Sequence, residues 1–299
     1  MEKVSVIITT YNRGPDIVRR AINSVINQTY DNIEIIVVDD NPVIFKKKED
    51  IKIMIDSLGS PIKYIEHKKN MGACAARNTG INNSTGSYVA FLDDDDEWLP
   101  TKIEKQMKCF SDTNIGMVYC LFWINTPTNK AIYSENTIEG NVYDNLLVDN
   151  YIGGTSVVIL KKEVAIKAGL FDTKMKSAQD IDMWLRCSKL CHVACVREPL
   201  VNYYAHDSER ITTNVKNKIQ GMERILFKYE NDIKDNSEAK WKRTMKLSAM
   251  YALNKEYKRS IHTYRKALIL MPKRIHENLY YFKMILFYLI QNKFDRAKE

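Results

Sequence analysis

SYVAFLDDDDEWLP, at residues 87–100, decides the fold class of this chain. Its apolar run, 88–92, is typical of a short strand buried on both faces of a parallel sheet. Four aspartates and a glutamate follow directly at residues 93–97. Ligands of open α/β sheets bind beyond the carboxyl ends of the strands, and Mg²⁺ and Mn²⁺ prefer carboxylate oxygens. This stretch therefore favours a metal–phosphate site, with an acidic turn that caps the next helix as the alternative.

The composition indicates a globular protein with a sizeable core. The 299 residues are 45% hydrophobic and 27% charged. The six cysteines form no Cys-x-x-Cys pair, which favours reduced core thiols and a cytoplasmic setting over a zinc site. The N-terminus shows neither the basic region nor the cleavage site of a signal peptide. The longest apolar run near the C-terminus, residues 284–290, is too short to span a bilayer.

Charge is unevenly distributed along the chain. The net charge is +8, of which residues 1–214 contribute −3 and residues 215–299 contribute +11. A basic segment of this kind predicts an anionic partner surface.

Strand-like and helix-like segments alternate through the first half of the chain. Apolar runs rich in β-branched residues predict strands at residues 4–9, 33–38, 62–66, 88–92 and 116–124. Helical spacing begins between them at Pro15, Gly72 and Lys102. Because strand–helix–strand units of this length join parallel neighbours, the pattern predicts an α/β fold with a mainly parallel, doubly wound sheet that binds a nucleotide. Neither G-x-G-x-x-G nor a Walker A motif occurs, so dinucleotide and P-loop sites are not supported.

The second half of the chain changes character. Residues 126–150 are polar and irregular, and a strand is expected at 156–160. A helix starts near residue 179, and residues 199–214 are interpreted as a loop. From residue 215 the strand signal stops and long amphipathic helices follow.

Six motifs occur in a fixed order along residues 4–213. They are TTYNR (9–13), VDD (38–40), NMG with ARN (70–78), GSYVAFLDDDD (86–96), GLFD (169–172) and QDIDMWLR (179–186). Together they resemble the family 2 glycosyltransferases with the GT-A fold. The resemblance implies a Rossmann-like catalytic domain at residues 1–214, a nucleotide-sugar-binding half at 1–98, an acceptor-binding half at 99–214, and a basic helical region at 215–299.

The resemblance also implies a donor pocket. Its members are Thr9, Tyr11, Arg13, Asp40, Arg77, Asp93 and Asp94, and the metal ligands for Mn²⁺ or Mg²⁺ are Asp95, Asp93 and His206. Tyr11 would stack on the base, and Asp40, with Asp39 as the alternative, would recognise the edge of the base. Asp95 is the best candidate ligand within this DxD-type element.

The resemblance assigns the catalytic base to a carboxylate near the start of the helix at residue 179. Asp180 matches the base of a Glu-Asp motif, and Asp182 is the alternative. Gln179 stands where the family has glutamate, so acid–base chemistry at that first position is not expected. A carboxylate base within reach of the acceptor hydroxyl would take its proton.

The implied activity is metal-dependent, inverting transfer of a sugar from a nucleoside-diphosphate sugar, with UDP-sugars favoured, to a hydroxyl of a glycan or lipid-linked acceptor. Two other readings are a sugar nucleotidyltransferase and a catalytically silent glycan-binding or scaffold protein. The C-terminal helices predict contact with the inner face of the cell membrane, and the alternative is packing on protein, including a homodimer. No nucleic-acid partner is expected.

Overall fold

A nine-stranded sheet is formed by the residues that this computed structural model describes, which are 1–133, 137–204 and 214–296, with side chains to residue 290. The strands are Val4–Thr10 (β1), Ile33–Asp39 (β2), Ile62–Glu66 (β3), Tyr88–Asp93 (β4), Glu97–Trp98 (β5), Ile115–Asn125 (β6), Lys130–Tyr133 (β7), Val158–Lys161 (β8) and His192–Tyr204 (β9). Their order is β3-β2-β1-β4-β8-β6-β9-β5, and β7 pairs with β6.

Helices follow most of the strands and then continue alone to the C-terminus. They are Pro15–Ile26 (α1), Lys48–Ser57 (α2), Ala73–Asn83 (α3), Lys102–Cys109 (α4), Tyr143–Val148 (α5), Lys162–Lys167 (α6), Gln179–Ser188 (α7), Val215–Lys228 (α8), Glu230–Asp235 (α9), Ser237–Leu253 (α10), Tyr257–Leu270 (α11) and Ile275–Arg296 (α12).

The first half of the sheet is parallel, as the sequence predicts. Strands β3, β2, β1 and β4 run in one direction, so their carboxyl ends meet at one edge. The register pairs Thr9 with Asp93, which places the TTYNR motif beside the four aspartates. Buried aliphatic side chains explain why these runs form inner strands, since every residue of Val6–Ile8 is 0% exposed.

The second half of the sheet is mixed. Strand β8 runs antiparallel to both β4 and β6, whereas β6 and β9 are parallel. The predicted fold class, a mainly parallel α/β sheet followed by C-terminal helices, is confirmed.

Three local predictions were wrong. A loop was expected at residues 199–214, but residues 199–204 form the end of strand β9, which pairs with β6. Two register shifts interrupt this pairing near Pro199. The irregular segment 126–150 contains strand β7 and helix α5. Residues 155–157 form a 3-10 turn, so strand β8 starts at Val158 rather than at residue 156. Pairing with a distant strand overrides the local proline and polar signals in such segments.

The described residues divide into two units. One comprises Met1–Val142, Tyr151–Thr173 and Asp180–Asp207 and holds the sheet. The other comprises Tyr143–Asn150, Lys174–Gln179 and Ser208–Glu299, and its described residues are mainly helical. The domain boundaries expected at residues 98 and 214 stay predictions.

The helical unit has a small core of its own. Trp241, Met245 and Tyr281 are buried together, and the Trp241 indole N–H donates to Asn278 Oδ1 at 2.9 Å. Arg243, 4% exposed, donates to the main-chain carbonyls of the last turn of α5, which have no partners within that helix. Among the described helices, none combines the length and the apolar character needed to cross a bilayer.

The sheet unit contains a fully buried lysine. Lys102 is 0% exposed, and its Nζ donates to Gln106 Oε1 at 2.6 Å and lies 3.9 Å from the centroid of the Trp98 ring. Burial lowers the pKa of Lys102 to about 8, because the charged form loses its hydration.

We expect Lys102→Met to change the pH dependence of stability. Between the folded pKa of about 8 and the unfolded value of about 10.4, the unfolded chain binds more protons. Wild type therefore gains stability as pH rises, by at most about 1.4 kcal/mol per pH unit. Denaturant unfolding at about pH 7 and about pH 9.5 measures this gain in stability. The Lys102→Met variant should lack the gain, whereas the control Lys46→Met, at an exposed lysine, should keep it. The same gain in Lys102→Met would contradict the assignment.

Candidate functional site

The acidic turn, defined as residues 93–96, begins with the last residue of β4, at the edge where the parallel strands end. Asp93 accepts a hydrogen bond from Arg77 NH2 at 2.7 Å and one from Thr155 Oγ1 at 3.2 Å. Arg77 projects from α3, is 7% exposed, and lies 5.5 Å from the centroid of the Phe171 ring. The first carboxylate of the turn is therefore held by Arg77 of the NMG–ARN segment.

Arg13 joins the TTYNR motif to the middle of the acidic turn. Its guanidinium lies 3.3 Å from Asp94 Oδ1 and 2.9 Å from Asp95 Oδ2, and the Tyr11 backbone N–H donates to Asp94. Burial and the adjacent Asp95 carboxylate raise the pKa of Asp94 to about 7, while Arg13 opposes this shift. One arginine thus supplies the positive charge that two neighbouring carboxylates require.

Arg20 is a contact of the turn that sequence reasoning missed. Its NH2 donates to the main-chain carbonyl of Asp95 at 2.6 Å, and its guanidinium lies 4.2 Å from the centroid of the Tyr204 ring. Helix α1 places it five residues after Pro15, where a cation on a surface helix carries no motif signal. Arg20 therefore ties the turn to the end of β9.

Thr155 and Ser156 also hold the turn. The Ser156 hydroxyl donates to Asp96 Oδ2 at 2.6 Å and accepts the backbone N–H of Asp93 at 3.1 Å. These residues follow Gly153-Gly154, and that glycine pair is the local signal that could have marked a close approach of the chain.

The two candidate bases occupy different environments. Asp180 is half-buried at the start of α7, and burial raises its pKa. The backbone N–H of Ile181 and the positive charge of Arg77 lower the pKa but do not cancel the effect of burial. Asp182 is fully buried and pairs with Arg186 NH2 at 2.8 Å. Asp180 is thus under the electrostatic influence of Arg77 and Asp93, whereas Asp182 is paired with Arg186, and the assignment of the base stays a prediction.

The two aspartates that follow β2 are engaged within the protein. Asp40 Oδ1 lies 2.7 Å from His67 Nδ1, and Asp40 accepts the backbone N–H groups of Met71 and Gly72 at 2.8 Å each. Asp39 is fully buried and binds Asn41 and the Tyr64 hydroxyl. Asp40 thus orders the turn before α3, and its role in recognising a base stays a prediction.

The remaining donor-pocket residues lie at the carboxyl end of β1. Thr9 is half-buried beside Asp93, and the Tyr11 side chain is 50% exposed. A half-exposed aromatic ring at this edge has room to pack against a planar ligand. His206 lies outside the described residues.

The donor atoms suit a divalent cation only in part. Among the described residues, no three histidine, cysteine or carboxylate side chains converge to hold a metal ion. The oxygens of Asp93 and Asp95 are nevertheless of the kind that Mg²⁺ and Mn²⁺ bind, and Mg²⁺ commonly needs only one or two carboxylates when substrate phosphates complete its shell. The residues therefore fit a cation that binds together with a phosphorylated substrate.

Comparison with known proteins identifies the family. The sequence model described as "Glycosyl transferase family 2" matches residues 5–162. An uncharacterized glycosyltransferase of Rickettsia typhi is 33% identical over 221 residues, which cover 71% of this chain and 66% of that protein, slightly less than two thirds. An uncharacterized glycosyltransferase of Methanocaldococcus jannaschii is 28% identical over 264 residues, which cover 87% and 81% of the two chains.

Solved structures share the fold. The structure of S. aureus TarS 1–349 in complex with UDP-GlcNAc matches with a TM-score of 0.68 and 15% identity, covering 99% of this chain and 92% of that one. A second structure of S. aureus TarS 1–349 matches with a TM-score of 0.62 and 16% identity. The family match covers more than half of the chain, and the motifs that predicted it lie around one edge of the sheet. This chain belongs to glycosyl transferase family 2.

Proposed function

We propose that this chain transfers a sugar from a nucleoside-diphosphate sugar, a UDP-sugar in the first instance, to a hydroxyl group of a glycan or lipid-linked acceptor, with inversion. The observation that carries the proposal is the ion pair of Arg77 with Asp93 at 2.7 Å, together with the effect of the same positive charge on Asp180, where it opposes the rise in pKa that burial causes. One cation thus links the acidic turn to the candidate base. Family membership and the UDP-GlcNAc complex of the TarS neighbour support a nucleotide-sugar donor.

The donor half of the site is proposed at the carboxyl ends of β1 and β4. Tyr11 packs against the base, Thr9 and Asp93 approach the ribose, and the positive charges of Arg13 and Arg77 face the diphosphate. Arginine suits this role because its guanidinium binds phosphate oxygens through two parallel hydrogen bonds. Asp95 and Asp93, with His206, would hold a divalent cation, which when bound stabilises the charge that develops on the leaving diphosphate.

The acceptor half is proposed around Asp180. A carboxylate whose pKa is raised by burial is a stronger base than an exposed one, and it is well placed to take the proton of an attacking hydroxyl. Attack from the face opposite the leaving diphosphate inverts the anomeric centre. Asp182 is less suited to this step because its carboxylate is already paired with Arg186.

The test is release of UDP from UDP-GlcNAc and UDP-glucose by the purified chain, with and without Mn²⁺. We expect slow hydrolysis that depends on the cation, because water can replace the acceptor. Absence of turnover together with binding of a saccharide would favour the scaffold reading. Release of pyrophosphate from a nucleoside triphosphate would favour a nucleotidyltransferase.

A membrane surface is proposed as the partner of helix α12. Its inner face is buried at Tyr281 and Ile285, whereas the opposite face is apolar and exposed. That outer face comprises Leu279 (48% exposed), Tyr280 (63%), Leu286 (42%), Phe287 (55%) and Ile290 (47%), with the exposed Lys283 among them. A helix that is apolar on its outer face, in a segment of net charge +11, fits an anionic lipid interface.

We expect the full chain to co-sediment with phosphatidylglycerol-containing vesicles and to be released as salt rises. Leu279→Glu with Phe287→Glu should lower the bound fraction severalfold, because both changes place a negative charge on the outer face. Phe227→Glu is the matched control, since Phe227 is 79% exposed on α8. Binding that ignores lipid charge, or self-association that disappears in the α12 variant, would favour a protein partner.

A further inference from the structure

Three aromatic rings cluster on one face of the sheet beside the proposed acceptor half. We call Phe122, Tyr133 and Tyr203 the aromatic shelf. The Phe122 and Tyr133 rings are stacked with centroids 4.6 Å apart, and the Phe122 and Tyr203 rings meet edge to face at 6.2 Å. Phe122 is 8% exposed and supports the other two rings, whereas Tyr133 is 37% exposed and Tyr203 is half-buried.

Strand pairing places the three rings on one face. Phe122 lies opposite Tyr133 across the β6–β7 hairpin, and Ile124, two residues further along the same face, lies opposite Tyr203 of β9. Ile132 alternates to the other face, opposite Trp123. The hairpin therefore presents its tyrosine, and not its isoleucine, on the face shared with Tyr203.

Gly153 connects the shelf to the acidic turn. A Cβ at this position would lie 2.8 Å from Phe122 Cε1, so only glycine lets the loop approach the ring this closely. Two residues later, which is a span of at most about 7 Å, Thr155 donates to Asp93 Oδ1. The shelf is thus separated from the acidic turn by one short loop.

The same loop connects the shelf to the helix of the candidate base. The Trp184 indole N–H donates to the Gly153 carbonyl at 3.3 Å, and Trp184 lies one turn after Asp180 in α7. The Phe171 ring packs edge to face on Trp184, with centroids 6.4 Å apart. Rigid aromatic packing therefore fixes the shelf relative to the carboxylate proposed to activate the acceptor.

We propose that the aromatic shelf is a subsite for a pyranose ring of a glycan acceptor. The faces of a pyranose carry C–H groups, which pack on the flat face of an aromatic ring as other apolar surface does, while a tyrosine hydroxyl can bond to the sugar hydroxyls at the rim. The proposed donor base packs at Tyr11, after β1, so the shelf is left for the acceptor. This inference rests on the proposed function and assigns the acceptor subsite within it.

The test measures saccharide binding to the full chain in the presence of UDP and Mn²⁺. The probes are cellotetraose and chitotetraose, observed by saturation-transfer NMR and titration. We expect at least one probe to bind, and Tyr133→Ala and Tyr203→Ala each to weaken its affinity roughly 3- to 10-fold, the range expected for one aromatic contact. Tyr133→Phe should keep most of the affinity because it keeps the ring.

Two controls separate recognition from hairpin packing. Tyr133→Leu keeps apolar bulk on the hairpin but removes the flat ring, so it should lose affinity without a comparable loss of thermal stability. Ile132→Ala changes the neighbouring, exposed residue on the opposite face and should bind as wild type does. Binding of neither probe by wild type, unchanged affinity in the tyrosine variants, or an equal loss in Ile132→Ala would each overturn the proposal.

Hydrolysis of UDP-sugars distinguishes failure of the proposed acceptor subsite from failure of the proposed transferase function. Ile132→Ala, whose side chain lies on the opposite face from the shelf, should release UDP at the wild-type rate in the absence of acceptor. If wild type hydrolyses UDP-sugars but binds neither saccharide, the proposed subsite is rejected and the transferase function is retained. If the tyrosine variants lose saccharide binding but wild type hydrolyses no UDP-sugar, the saccharide subsite is supported and the transferase function is rejected.

Discussion

Asp180→Asn should lower turnover by about two to four orders of magnitude, the usual effect of removing a positioned general base. The amide cannot take the proton of the attacking hydroxyl, whereas the donor contacts proposed at β1 and β4 remain. The affinity for the nucleotide-sugar should therefore change little. Steady-state kinetics with saturating and limiting donor separate the two parameters. Near-normal turnover in this variant would remove Asp180 from the mechanism.

The pH profile gives a second readout of the same group. Because burial raises the pKa of Asp180, the deprotonated form is reached at higher pH than for an exposed aspartate. Turnover should consequently rise with pH across a range above the ordinary aspartate pKa. Asp180→Asn should abolish that acid limb.

Asp182→Asn is the matched control two residues away. Its carboxylate is fully buried and bonded to Arg186 through two guanidinium nitrogens, at 3.1 and 2.8 Å. We expect its main effect on the free energy of unfolding, by up to about 3–5 kcal/mol, because breaking a buried ion pair leaves a charge without its partner. A folded Asp182→Asn protein with turnover as low as that expected for Asp180→Asn would transfer the base assignment to Asp182.

Asp95→Asn should weaken the Mn²⁺-dependent affinity for UDP by at least about 10- to 100-fold, since loss of even an outer partner of a metal ligand costs that much. The substitution replaces a charged oxygen ligand by a neutral amide. Calorimetry with UDP, with and without Mn²⁺, measures the effect. UDP binding without metal should change less, because Arg13 and Arg77 are retained.

The control for this variant is Asp56→Asn, an exposed aspartate of α2. It changes the net charge by the same amount, so it corrects for long-range electrostatics. If Asp56→Asn weakens metal-dependent binding as much as Asp95→Asn does, or if neither does, Asp95 is not a ligand.

The sequence was sufficient to predict the parallel strands and most of the helix starts in the first half of the chain, where local composition and topology agree. Each buried parallel strand is a run of β-branched and apolar residues, and parallel strands end at one edge, so the acidic turn and the TTYNR motif were expected at the same edge. The pairing of β1 with β4, which makes them neighbours, came from the structure. Helices α1, α3, α4 and α7 were predicted within two residues at their starts because Pro15, Gly72 and the periodic apolar positions mark them. The family followed from the order of six motifs, and the match over residues 5–162 confirms it.

Only the tertiary structure decided which partners each side chain has. Strand β9 depends on pairing with β6, more than sixty residues away in the chain, and its proline argued locally for a loop. The contacts of Arg20, Thr155 and Ser156 with the acidic turn join residues 60 to 75 positions apart. The sequence shows which side chains can ionise or donate a hydrogen bond, but the packing of the chain decides which acceptor each of them contacts. For the same reason the sequence could prefer Asp180 over Asp182 only by its motif position, and the structure adds that the Asp182 carboxylate is buried with Arg186.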